Sequence, residues 1–323
     1  MPRISVILPT YNGEEYLQDA LQSIFAQTYS DFEVIAINDG STDQTPEILD
    51  SVKDKRLKVI YQKNHGLALS LNIGIRAATG EFIARQDQDD ISLPTRFEKQ
   101  VEYFDNHPKC GLLGTHANIW KNNQKTKRKI QHPYDNATLQ LLGLFNCRFV
   151  HSSVMARTEV MINAGMYPSD PLRNPPEDFD LWLRMMKQCD VANLPLPLLY
   201  YREVATGITQ TNKLLIQERT HQIACDNLLS LLNHQQSYHD FVALMRFNIK
   251  QLSRHPDWDH CYETIERLQQ YLLSRFLDEH QMIHDGVKIL KHRLQALKTG
   301  HRVLGKHLLH EMIGVARKIK KII

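Results

Sequence analysis

No two of the five cysteines (Cys110, Cys147, Cys189, Cys225 and Cys261) stand at CxxC spacing. A zinc knuckle or a dithiol redox centre is therefore not expected, and reduced thiols in a cytoplasmic protein are the simpler reading. No apolar run approaches the ~20 residues needed to cross a bilayer. The start of the chain shows no basic segment leading into an apolar one, so no signal peptide is expected. One-sided charge is scarce too: the net charge is +3, too small to argue for a nucleic-acid partner. The sixteen histidines are scattered and read as surface or packing residues. What remains is an ordinary folded composition, 42% hydrophobic and 23% charged. At 323 residues it suffices for one large α/β domain with an appendage.

Short β-type runs at Ile4–Leu8, Phe32–Ile37, Leu57–Tyr61 and Glu81–Ala84 alternate with helical patterns at 16–27, 45–52 and 67–78. That alternation predicts right-handed βαβ units and a mostly parallel central sheet flanked by helices. A helix over 95–107, a strand at 111–114, a strand at 152–156, a helix from Thr158 to Gly165 and a helix over 179–188 are expected next. The basic stretch 121–132 reads as a surface loop or hairpin. From about residue 213 only helical spacing remains, so the boundary is drawn between a domain at 1–212 and a helical C-terminal region at 213–323. Its last segment, 297–323, sets Leu304, Leu308, Met312, Val315, Ile319 and Ile322 against a face of lysines and arginines. A basic amphipathic helix is expected there, suited either to a peripheral membrane surface or to packing on the catalytic domain.

Polar residues follow each of the first four strands. Pro9-Thr10-Tyr11-Asn12 closes the first, Asn38-Asp39-Gly40-Ser41-Thr42-Asp43 the second, and Asn64-His65-Gly66 the third, ahead of a helix holding Asn72 and Arg76. The fourth runs into Asp87-Gln88-Asp89-Asp90. Ligands of open α/β sheets bind outside the carboxyl ends of the strands. Carboxylates crowded there repel one another, and a divalent cation carrying a diphosphate would hold them together. The plainer reading is an acidic turn with Asp90 or Ser92 capping the next helix, and Thr42 or Asp43 capping the earlier one.

With Glu177-Asp178 inside Pro176-Glu177-Asp178-Phe179-Asp180-Leu181-Trp182, these motifs come in an order and spacing that resemble a family 2 glycosyltransferase of the GT-A fold, from residue 4 to about 210. The resemblance implies a hexosyl transfer from a nucleotide sugar, expected to be a UDP-hexose or UDP-N-acetylhexosamine, to a glycan or lipid-linked acceptor of cell-surface polysaccharide. It implies that Pro9, Thr10, Tyr11, Asn12, Asp39, Asn72, Arg76, Asp87 and Gln88 serve the donor. Asp89, with Asp87, would hold Mn2+ or Mg2+. Asp178 would be the general base of an inverting displacement, with Glu177, His151 and Arg202 as further candidates. The expected place is the cytoplasm, peripherally at the inner face of the membrane.

The chain departs from the family pattern in two places. Asn38 stands where a second acid is common, and Val204 stands where a histidine often follows the arginine of Tyr200-Tyr201-Arg202. A glutamine-x-x-arginine-tryptophan run, the mark of processive synthases, is absent, which favours transfer of single sugars. A sugar nucleotidyltransferase would need a glycine-rich basic loop where Pro9-Thr10-Tyr11-Asn12-Gly13 stands. A non-catalytic nucleotide-sugar binder would not need Asp178.

Overall fold

The structure is a computed structural model that describes residues 1–121, 124–204, 207–233, 240, 256–276 and 279–299. It falls into two compact units, Met1–His132 with Phe149–Lys213, and Pro133–Arg148 with Leu214–Ile323.

The first unit is built on β1 (Ile4–Thr10), β2 (Phe32–Asp39), β3 (Leu57–Gln62) and β4 (Phe82–Arg85), all parallel in the order β3-β2-β1-β4. Every residue of β1, β2 and β4 is buried, which is why these strands read as continuous apolar runs. The connecting helices are α1 (Leu17–Phe25), α2 (Thr45–Ser51) and α3 (Leu67–Ala77). Helix α1 buries Leu17, Ala20, Leu21 and Ile24, one stripe at helical spacing, in a core shared with Val6, Leu8, Val34 and Ala36. Each such aliphatic side chain contributes roughly 1.5–3 kcal/mol on burial. Helix α3 approaches the sheet so closely that a Cβ on Gly74 would lie 2.6 Å from Ile7.

Beyond β4 the sheet turns mixed. The short β5 (Ile91–Ser92) leads to α4 (Arg96–Asn106), then to the hairpin of β6 (Cys110–Lys121) and β7 (Gln124–Ile130). After β8 (Met155–Arg157) come α6 (Thr158–Asn163), α7 (Glu177–Met186), β9 (Asp190–Glu203) and α8 (Ile208–Thr211), with α5 (Asn136–Gly143) assigned to the second unit. The full order is β3-β2-β1-β4-β8-β6-β9-β5, with β7 on β6. Strand β8 is antiparallel to both β4 and β6, so β6 and its parallel partner β9 run in the direction of β4. The carboxyl ends of β1, β2, β4, β6 and β9 thus share one edge.

Three expectations change. The strand expected at 111–114 extends for twelve residues, and the basic stretch after it takes the hairpin form of the two expected. Strand β9 was not foreseen, because Pro195 and Pro197 argue against a strand. The register against β6 shifts at Thr115/His116 and His116/Ala117, opposite those prolines. Residues 133–148, placed by sequence in the first domain, cluster with the later helices. Asp135 and Glu279 cap α5 through Thr138 N and Ala137 N, and Gly286 lets Leu141 approach. The second unit also contains α9 (Lys213–Leu232) and the helices Trp258–Arg275 and His280–Lys298. Most of the basic segment 297–323 lies outside the described residues.

Candidate active site

The end of β4 is fastened from below by a buried arginine. Arg96, at the start of α4, donates to the carbonyls of Arg85 at 2.7 Å and Val154 at 3.1 Å, and to Gln86 Oε1 and Ser92 Oγ. Burial lowers its pKa to about 9. The helix cap at this point is Thr95, so neither Asp90 nor Ser92 serves as one.

Above that support stand Asp87, Asp89 and Asp90, each offering a carboxylate oxygen within 4.8 Å of the others. Their surroundings differ. Asp90 is buried and both its oxygens are used: Oδ1 accepts from Arg202 N at 2.8 Å and Oδ2 from Ser152 Oγ. Asp87 pairs with the buried guanidinium of Arg85 at 2.6 Å. Asp89 is half-buried, and burial together with Asp87 raises its pKa to about 7. Asp90 is pushed well above the carboxylate range by burial and by its two neighbours. A divalent cation fits this set. The donors are all oxygen, the choice of Mg2+ and Mn2+, and the crowding that raises Asp89 is the repulsion a cation would relieve. Asp87 and Asp89 are the two not already committed to holding the loop.

Arg202 secures this loop from β9. Its Nε donates to the Asp89 carbonyl at 2.8 Å and its Nη2 to Asp19 at 3.2 Å. Its guanidinium carbon lies 4.3 Å from the Tyr16 ring centre and 5.1 Å from that of Trp120.

The end of β1 is locked to the same loop. The Gln88 side chain accepts from Tyr11 N at 2.8 Å and donates to Tyr11 O at 3.0 Å. Pro9 and Thr10 are buried, Tyr11 is exposed, and Asn12 takes a φ of +46°, with its side chain accepting from Thr42 N. Asp39 closes the third wall. Its oxygens accept from Gln62 Nε2, His65 N and Gly66 N at 2.7–2.8 Å. Asn38 accepts from Ser41 N in the turn after β2, and Asp43 accepts from Thr45 N, while the N-cap position of α2 is Gln44, so neither Thr42 nor Asp43 is the cap.

Helix α7 begins with Glu177 and Asp178. Glu177 is buried, and burial plus the charge of Asp178 raises it to about 7. Asp178 is half-buried and accepts from Phe179 N. His151 is half-buried, with Nε2 2.8 Å from Tyr167 Oη and Nδ1 3.9 Å from Glu177. Burial and Arg85 lower it to about 4, so the ring is neutral at physiological pH. The charges of Asp87 and Asp178 both act on His151 and on Tyr167, so the two acids lie within electrostatic reach of the same pair.

Two residues named from the sequence stand elsewhere. The Asn72 amide is engaged on both sides by the backbone of Tyr167, at 2.9 Å each. It pins that loop to α3 rather than facing a ligand. Arg76 is exposed in the last turn of α3. That turn leads to Gly80, whose N–H donates to Ser5 at the start of β1, so Arg76 lies at the opposite edge of the sheet. Sequence reasoning missed Arg85, Tyr167 and Ser152. A lone arginine inside the apolar run Phe82-Ile83-Ala84-Arg85 was the available signal for the first.

Comparison with known proteins agrees with this architecture. Residues 5–163 match the model of glycosyl transferase family 2. The chain is 34% identical to a putative glycosyltransferase, EpsE, of Bacillus subtilis, over 58% of this chain and 68% of that one. It is 33% identical to the amylovoran biosynthesis glycosyltransferase AmsE of Erwinia amylovora, over 65% and 78%. The crystal structure of S. aureus TarS in complex with UDP-GlcNAc superposes with a TM-score of 0.60 at 17% identity, covering 93% of this chain and 92% of that one. The chain belongs to glycosyl transferase family 2 and is a glycosyltransferase of the GT-A fold.

Proposed function

We propose that this enzyme moves one sugar from a UDP-sugar, with inversion, to a hydroxyl of a glycan or lipid-linked oligosaccharide during cell-surface polysaccharide assembly. The observation that carries this reading is the joint placement of Asp87, Asp89 and Asp178, with the charges of Asp87 and Asp178 both felt by the His151–Tyr167 pair. Asp178 is the more accessible acid of its pair and takes the proton of the attacking hydroxyl. Glu177, the neighbouring acid, is buried and raised to about 7. Asp39 has used three of about four acceptor positions and keeps one for the N–H of a uracil. Tyr11 presents an exposed ring beside it. Asp87 and Asp89 hold a divalent cation, Mn2+ or Mg2+, which would supply positive charge against the departing nucleoside diphosphate.

The named role of AmsE in amylovoran biosynthesis and the UDP-GlcNAc bound by TarS support the choice of acceptor class and donor. No helix among the described residues is long and apolar enough to cross a membrane. Work in the cytoplasm, peripherally at the inner membrane face, is the matching proposal.

Thermal-shift measurement against a panel of nucleotide sugars, with and without Mn2+, tests the donor. A ligand at ~100 times its Kd adds about 2.7 kcal/mol of apparent stability, so one UDP-sugar with Mn2+ should stand clear of the panel. A flat panel would contradict the reading.

A further inference from the structure

The hairpin of β6 and β7 carries a run of basic side chains, and none of its lysines serves the proposed donor site. Lys125, Lys127 and Lys129 are all exposed. The nearby acid, Glu203, is taken by Lys121 at 3.7 Å and by Arg128 at 3.1 Å. None of the other three lysines has an ion-pair partner among the described residues. Lys125 stands opposite Trp120 in the ladder and Lys129 opposite Asn118, while Trp120 and Asn118 pair with Arg202 and Tyr200 across β9. The two lysines therefore share a face with Arg202, whose side chain holds the Asp89 turn. Lys125 Nζ lies 4.8 Å from the Tyr200 ring centre. Strand β6 runs in the direction of β4, so the hairpin projects from the edge that carries Asp87 and Asp89.

We infer that this hairpin docks the enzyme on an anionic phospholipid surface. Three unpaired ammonium groups on a projecting ribbon match a sheet of phosphate head groups, and an aromatic pair beneath Lys125 suits the head-group boundary. The placement brings a lipid-borne acceptor to the same edge as the donor. The inference names the face for the peripheral membrane reading above, but its test needs no sugar transfer. A second role is open to such lysines, since charged side chains on an edge strand also block strand-to-strand association.

The test is co-sedimentation of the full chain with vesicles of phosphatidylcholine and phosphatidylglycerol at low salt. The triple variant Lys125→Ser, Lys127→Ser, Lys129→Ser should lose about tenfold or more of its vesicle partition. The triple arginine variant at the same positions should keep it. Lys53→Gln, Lys55→Gln, Lys109→Gln removes the same charge from exposed positions at the opposite edge and should bind like the parent. UDP affinity, measured in parallel, should be unchanged in all of them, which separates this inference from the donor assignment. The inference is overturned if the parent chain ignores anionic vesicles, if the opposite-edge variant loses as much, or if the serine variant binds as before. Self-association of the serine variant with normal vesicle binding would assign the lysines to edge protection instead.

Discussion

The backbone N–H of Arg202 donates to Asp90 Oδ1 at 2.8 Å, while the same residue's Nε holds the carbonyl of Asp89. One residue of β9 thus fixes two consecutive positions of the acidic loop. Val204 stands two positions on, and Arg202 is the residue of this strand whose side chain bonds the loop at Asp89. Arg202→Met should keep the fold and weaken Mn2+ or UDP–Mn2+ binding by about tenfold, because it removes a charge-assisted hydrogen bond worth roughly 1.5–3 kcal/mol. Calorimetric titration measures this, and unchanged affinity would confine Arg202 to packing.

Asn72 and Arg76 were both expected to serve the donor, and the structure separates them. Asn72→Ala strips two hydrogen bonds from the Tyr167 backbone and should lower stability by about 1–3 kcal/mol. Arg76→Ala, at the far edge, should change neither stability by more than about 0.5 kcal/mol nor UDP affinity. Chemical denaturation and titration of the two variants side by side check both statements.

Two carboxylates give opposite pH signatures. Glu33 is buried at the amino edge, held by Lys58, Thr79 and Ser5, and lowered to about 2 from the usual 4.5. The unfolded chain takes this proton first, so the stabilisation is present above about pH 4.5 and is lost as pH falls toward 2. Glu33→Gln should cost on the order of 2 kcal/mol at neutral pH and flatten the curve below about pH 4.5. Glu177 is raised to about 7, so the folded chain keeps a proton that the unfolded chain releases. Its contribution falls as pH rises from about 4.5 to about 7, and Glu177→Gln should flatten that window instead. Denaturation midpoints across this range, parent against variant, isolate each group.

How far the sequence spoke depended on whether a residue's neighbours were local. The βαβ repeat from Ile4 to Arg85 was legible because each buried strand is apolar throughout and each helix carries its own stripe. The acids at 87–90 and 177–178 were legible because they cluster in the chain. Strand β9 was hidden by two prolines that only a register shift in its partner accommodates. Segment 133–148 clusters with the later helices, where Glu279, far along the chain, accepts from Asn136 and Ala137, a partner no local pattern reports. The meanings of Asn72 and Arg85 were set by Tyr167 and Asp87 across the fold, and no spacing rule reports such partners. The fate of Asp90 was equally remote: its oxygens are claimed by Ser152 and Arg202.

The most direct measurement of the central claim compares Asp178→Asn with the parent in donor binding and in turnover. In the proposed mechanism Asp178 acts on the acceptor hydroxyl in the transition state and does not hold the nucleotide. The variant should therefore bind UDP–Mn2+ as the parent does while kcat falls by at least ~10²-fold. Near-normal turnover would contradict the account and move the base elsewhere, with Glu177 the first residue to examine.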